Sequence, residues 1–179
     1  MRHLLNKNTA LFVSLLSILL ISCEEKALES ADANCYFQYE YVNYAWGYSH
    51  SGFTVTPSGE IYKFDKTTPW VFAEKGQIQL SDLLKNISLS VKSETLISKT
   101  DMQSYLALAT IAKTGTLSTP FSRGADMGAM VCKVFVPDET DLQKVFEEVI
   151  LKQTGDWEKH NLKSEAAVIS AWLTSLRPK

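Results

Sequence analysis

Histidine is scarce in this 179-residue chain, with three in all: His3, His50 and His160. Cysteine is equally rare, and no paired His/Cys spacing supplies the three or four ligands that zinc requires. Asp156 and His160 stand four apart but have no second pair of ligands, so no metal and no other cofactor is expected. A Ser–His hydrolase would need a nucleophile, an orienting carboxylate and an oxyanion hole. The Ser-His-Ser-Gly turn around His50 implies none of these by spacing. Phosphate-loop chemistry is missing too. The glycine-containing stretch Ser122-Arg123-Gly124-Ala125-Asp126-Met127-Gly128-Ala129 lacks the required pattern and precedes a strand, not a helix. It reads as an ordinary connection, with presentation of Arg123 and Asp126 to a partner as the functional alternative. Lys and Arg are scattered singly, without the cluster that nucleic acid or anionic lipid calls for. Internal repeats and low-complexity segments are absent, and no apolar run approaches the roughly 20 residues of a membrane-spanning helix.

The N-terminus carries the clearest pattern. Arg2 and Lys7 precede a twelve-residue apolar run, positions 10–21, the layout of a cleaved signal peptide. The run ends in Leu20-Ile21-Ser22-Cys23, which resembles the lipobox of bacterial lipoproteins: a large aliphatic residue three before the cysteine and a small one directly before it. The resemblance covers only the leader. It implies that residues 1–22 are removed, that Cys23 receives a diacylglyceryl thioether, and that the membrane is a partner through this covalent lipid. Two or more acyl chains make such anchoring stable, at about 0.8 kcal/mol per buried methylene. A plain secretory leader with Cys23 incidental is the alternative. Among enterobacterial members an Asp after the lipidated cysteine retains the protein in the inner membrane. Glu24 stands there, so attachment to the outer membrane is expected.

Residues 23–34 then read as a lipidated tether, small and charged, leaving 35–179 as a single domain. Removing Arg2 and Lys7 from 18 basic residues leaves 16 against 20 acidic ones, a mature net charge of −4. The two remaining cysteines, Cys35 and Cys132, form an even pair in an oxidising compartment and suggest a disulfide, with two buried free thiols as the alternative.

Eight of the nineteen aromatic residues fall within positions 36–53. Phe37, Tyr39 and Tyr41 alternate with Gln38 and Glu40 at the period of a strand, while Val42, Tyr44 and Trp46 continue an apolar set on the opposite face. Such a switch implies a bulge or a second covering layer. Core packing is the expected role of these rings, and an exposed sugar-stacking platform the competing one. Gly47 and Ser49-His50-Ser51-Gly52 mark a turn. A strand from Phe53, the Pro57-Ser58-Gly59 hairpin and a strand over 60–65 complete an antiparallel meander.

Leu80, Leu83, Leu84 and Ile87, with Ser81 as cap, predict a short helix, and 88–99 is ambiguous. Thr100 and Gln103 suggest a capping box for a helix buried through Met102, Tyr105, Leu106, Ala109 and Ala112, widened by Leu108 and Ile111. A strand over 131–136 ends at Pro137. Residues 142–151 fit helix or strand, with strand slightly favoured. Ser164 and Glu165 open a last helix with Val168, Ile169, Trp172, Leu173 and Leu176 on one face. The fold class is therefore α+β: an antiparallel sheet built on an aromatic-rich N-terminal meander, covered by two or three helices including a C-terminal amphipathic one.

Asn43-Tyr44-Ala45-Trp46-Gly47 and the Gly155-Asp156-Trp157 before the last helix are similar to segments of small uncharacterised bacterial proteins, a likeness that implies no activity. By subtraction, the expected function is that of a non-catalytic binding module of the envelope, meeting a protein or glycan partner. The residues considered for contact are Arg123, Asp126 and His50. A hydrolase using His50 or His160, or a structural component of an envelope complex, are the alternatives.

Overall fold

A computed structural model describes residues 34–65, 69–138 and 144–177. The leader, Cys23 and the tether up to residue 33 lie outside the described residues. The period-2 pattern of the aromatic stretch becomes β1 (Tyr36–Asn43), followed by β2 (Ser49–Val55), β3 (Glu60–Asp65) and β4 (Gln77–Gln79). Then come α1 (Leu80–Ser88), β5 (Val91–Leu96), α2 (Lys99–Lys113), β6 (Phe121–Ser122), β7 (Ala129–Pro137), β8 (Val145–Gly155), β9 (Trp157–His160) and α3 (Ser164–Ser175). Strand order is β5-β3-β2-β1-β7-β8-β9-β6, with β4 added to β8, and the pairings are antiparallel. The α+β class is thus as expected, with the aromatic strand β1 near the centre. Of the ambiguous stretch 142–151, residues 142 and 143 lie outside the described residues, and from Val145 the β-branched run is strand, paired along β7.

Both faces of the first half of β1 are covered, whereas the apolar set continued by Tyr44 and Trp46 runs past its end into the exposed hairpin tip. The register of β1 with β2 and with β7 runs without a shift, so the strand carries no bulge. On one face Phe37 and Tyr39 pack with Phe53, Val55, Val134 and Leu151 beneath α2 and α3. Trp172 of α3 meets Phe37 edge-on at 5.2 Å and stacks on Tyr105 of α2 at 3.8 Å. On the other face Tyr36, Phe135 and Phe146 pack with Ile78 and Leu83, beneath α1. Asn86 of α1 also clasps the preceding segment. Its amide nitrogen donates to the Val71 carbonyl at 2.7 Å, and its oxygen accepts from the Val71 N–H at 2.9 Å.

Several local expectations are corrected. Ser49-His50-Ser51-Gly52 is not a turn but the first half of β2, paired with β1 from Asn43 to Glu40; the turn falls at 44–48. Small polar residues normally signal a turn. Here Gly52 serves a close approach instead, since a Cβ at that position would overlap the Tyr39 carbonyl oxygen. Ser81 does not cap α1. Gln79 occupies the cap position without a side-chain bond, and the Leu80 N–H is taken by the Lys144 carbonyl at 2.7 Å. The ambiguous stretch 88–99 holds the exposed strand β5. In α3 Val168 points outward and Ala166 inward, a rotation of the expected face.

The cap of α2 is Ser98 rather than Thr100. Ser98 Oγ accepts from the Asp101 N–H at 3.1 Å and donates to the Asp101 carboxylate at 2.7 Å. Ser98→Ala should therefore cost about 1 kcal/mol, while Thr100→Ala stays within about 0.5 kcal/mol. Urea midpoints of the two variants check this, and equal losses would refute the assignment.

The expected disulfide is also corrected. Cys35 and Cys132 are free and buried. Tyr39, not Cys35, stands opposite Cys132. Cys35 lies four residues further along the strand, about 13 Å away at 3.3 Å per residue, beyond the Cα separation of about 7 Å that a bridge tolerates.

Candidate functional site

Alternation places Gln38 and Glu40 on the face of β1 opposite Phe37 and Tyr39. Polar residues there would ordinarily meet water, yet Gln38 is 2 % and Glu40 5 % exposed. Glu40 is met from β7 by Lys133, whose Nζ lies 2.6 Å from Glu40 Oε1 and 2.8 Å from Glu148 Oε1. His50 Nε2 approaches Glu40 Oε2 at 3.1 Å, and Gln38 Nε2 donates to that oxygen at 2.7 Å. Burial pushes the Glu40 carboxyl up, but the Lys133 ammonium and the bonds from His50 and Lys133 overcome this and hold it at about 2. Lys133 shows the reciprocal balance. Burial lowers its pKa, and the two carboxylates raise it above the ordinary lysine value. This is a locked ion-pair network in a low-dielectric layer.

That layer explains the fate of His50. Its ring is wholly buried under Phe64, Trp70 and Phe72, at centroid distances of 4.8, 4.9 and 5.1 Å. The contact role considered for His50 is therefore corrected: no partner reaches it. Among the described residues His50 has a carboxylate but no serine bonded to its ring, and Nδ1 has no hydrogen-bond partner. His160 has the converse. It lines a cavity of about 600 Å³ between α3 and β8–β9, with Ser118 Oγ 3.4 Å from its Nδ1. That hydroxyl already accepts from the His160 N–H at 3.0 Å. Asp156, four residues earlier, instead accepts from the Met127 N–H at 2.7 Å. Neither histidine thus assembles the serine and carboxylate of a hydrolytic triad. The thiols are equally unready. Burial pushes Cys35 up to about 12, against the opposing pull of Lys113, and burial also raises Cys132. Among the described residues no group of three His, Cys, Asp or Glu is placed to hold a metal.

The strand ends tell a different story. β1 and β8 finish, and β2, β7 and β9 begin, at one end of the sheet, where the β1–β2 hairpin projects. Its tip carries Tyr44, 66 % exposed, Trp46, 85 % exposed, and the partly exposed Tyr48. The Tyr44 and Tyr48 rings lie 5.4 Å apart, tilted by 38°. The Ala45 N–H donates to Asn43 Oδ1 at 2.8 Å, so the tip is internally braced.

Loop 123–128 lies against the base of this hairpin. Asn43 Nδ2 donates to the Asp126 carbonyl at 3.2 Å, and Tyr41 OH donates to the Met127 carbonyl, also at 3.2 Å. Asp126 is held there at φ 68°, a left-handed backbone uncommon outside glycine. Arg123 is drawn elsewhere. Its Nε pairs with Glu158 Oε2 at 3.0 Å and its guanidinium sits over Phe121. Of the three residues considered for contact, only Asp126 joins the aromatic end. Sequence reasoning treated the aromatic stretch as one unit, whereas the structure divides it. Phe37, Tyr39 and Phe53 are core, and Tyr44, Trp46 and Tyr48 are display. The available signal was Gly47, which bends the chain at φ 100° in the middle of the second group. No protein-family model, curated protein or solved structure matches the chain.

Proposed function

We propose that this protein is a lipid-anchored envelope lipoprotein of the bacterial cell, whose domain is a non-catalytic binding module making its contact through the aromatic end of the sheet. The carrying observation is Trp46. A tryptophan 85 % exposed at a braced hairpin tip, beside an exposed Tyr44, keeps apolar surface in water that a partner would cover. The lipobox-like Leu20-Ile21-Ser22-Cys23 supports the anchor, with outer-membrane attachment favoured by Glu24. No described helix is long and apolar enough to cross a membrane, which leaves the lipid on Cys23 as the attachment this reading uses.

Cys23→Ser tests the anchor. The variant should accumulate as a precursor that keeps its leader, runs at higher mass and takes up no labelled acyl chain. Normal processing and membrane retention would overturn it. An enzyme reading has less to stand on, because serine and carboxylate are divided between His160 and His50.

A further inference from the structure

We propose that the hairpin tip is a sugar-stacking platform that takes a chain of uncharged pyranose units. This rests on the binding-module reading and names its partner class. Three observations converge on that chemistry.

The first is shape. Tyr44 and Trp46 are largely exposed and Tyr48 partly so, and the two tyrosine rings meet at 5.4 Å with a 38° tilt, which groups the aromatic surface at one tip. The C–H face of a pyranose is apolar and packs against an aromatic face much as another ring does. The second is unused polarity. Among the described residues, the Trp46 indole N–H and the Tyr44 and Tyr48 hydroxyls make no hydrogen bond. Each is an apolar body with a polar handle at its rim, matching a ligand that alternates C–H faces with hydroxyls.

The third is charge. Positions 43–49 contain no ionisable acid or base other than tyrosine. The adjoining loop adds the exposed carboxylate of Asp126, an acceptor-only group suited to ring hydroxyls, while its Arg123 is engaged by Glu158. An anionic polymer meets a carboxylate there and no unengaged arginine. A neutral hydroxylated chain meets no such repulsion. The bracing by Asn43 and Tyr41 means little ordering remains to be done on binding.

The test uses the unlipidated chain from Glu24 onward, which keeps every described element. Titration calorimetry with the tetrasaccharides of glucose and of N-acetylglucosamine should show binding of at least one. Trp46→Ala, at a position without packing, should weaken it by about tenfold or more. Asp126→Asn, which tolerates the left-handed backbone, should weaken it too. Circular dichroism should show both variants folded. Failure of both sugars to bind at about 10 mM, or binding indifferent to Trp46→Ala, overturns the proposal. So does Trp46-dependent attachment to phosphatidylcholine vesicles without sugar binding. Trp46-dependent retention of an envelope protein without sugar binding would leave the binding module standing and remove the sugar. Failure of the Cys23 test would not touch this assay, which uses no lipid.

Discussion

Lys133→Met should lose about 3 to 5 kcal/mol of folding stability, the usual cost of stripping one partner from a buried ion pair. The ammonium stands between Glu40 and Glu148 at 2.6 and 2.8 Å, and with it removed Glu40 keeps only His50 and Gln38 inside a layer closed to water. Adding Glu40→Gln to the variant should recover a substantial part, since an amide needs no counter-charge. Urea unfolding at pH 7 measures both, and a loss below about 1 kcal/mol would show the network to be incidental.

The pH dependence follows from the sign of the Glu40 shift. Its folded-state pKa, about 2, lies below the ordinary 4.5 of an unfolded chain, so its contribution is complete above pH 4.5. It is lost as pH falls from 4.5 towards 2. The gap between wild type and Lys133→Met should narrow over that window, because protonation removes the charge that Lys133 compensates. A gap that stays constant down to pH 2 would contradict the assignment.

Gly52→Ala should cost about 3 kcal/mol or more and sharply reduce the yield of folded protein. The new Cβ would overlap the Tyr39 carbonyl oxygen, lie 2.8 Å from Phe64 Cζ and 2.9 Å from Glu40 Cα. Two of those three neighbours are backbone of the central strand and cannot swing away. Gly76→Ala makes the control: its φ of 79° carries strain, but its surroundings are open, so about 1 kcal/mol is expected. Thermal melts of the pair decide the matter, with equal shifts refuting the close-approach argument.

Gly52 and Glu40 mark where sequence reading ran out. β1 was legible because alternation is set locally, whereas the β-branched run of β8 fitted a helix as well, and only its pairing along β7 decides it. Gly52 was misread because a glycine that spares a clash with a distant carbonyl looks the same in sequence as one that bends a turn. Gln38 and Glu40 read only as the polar half of the alternation, opposite Phe37 and Tyr39. Their burial depends on side chains from elsewhere in the chain: Lys133 and His50 meet Glu40, and Phe64, Trp70 and Phe72 close over His50. The aromatic end was half legible. Its composition stood out, but which rings face inward depends on where β2 begins, and that start was displaced by the misread turn.

The pairing of β1 also has a temporal consequence. One of its neighbours, β2, arrives through a tight hairpin, while the other, β7, joins Tyr39 to Cys132, about ninety positions apart. A nascent or translocating chain can form the local hairpins early, but one edge of its central strand stays unpaired until most of the domain has emerged. Contacts of such long sequence separation make folding slow. The late arrival of β7 therefore sets the pace, and an unpaired β1 edge is the species that a chaperone, or an aggregate, would meet first.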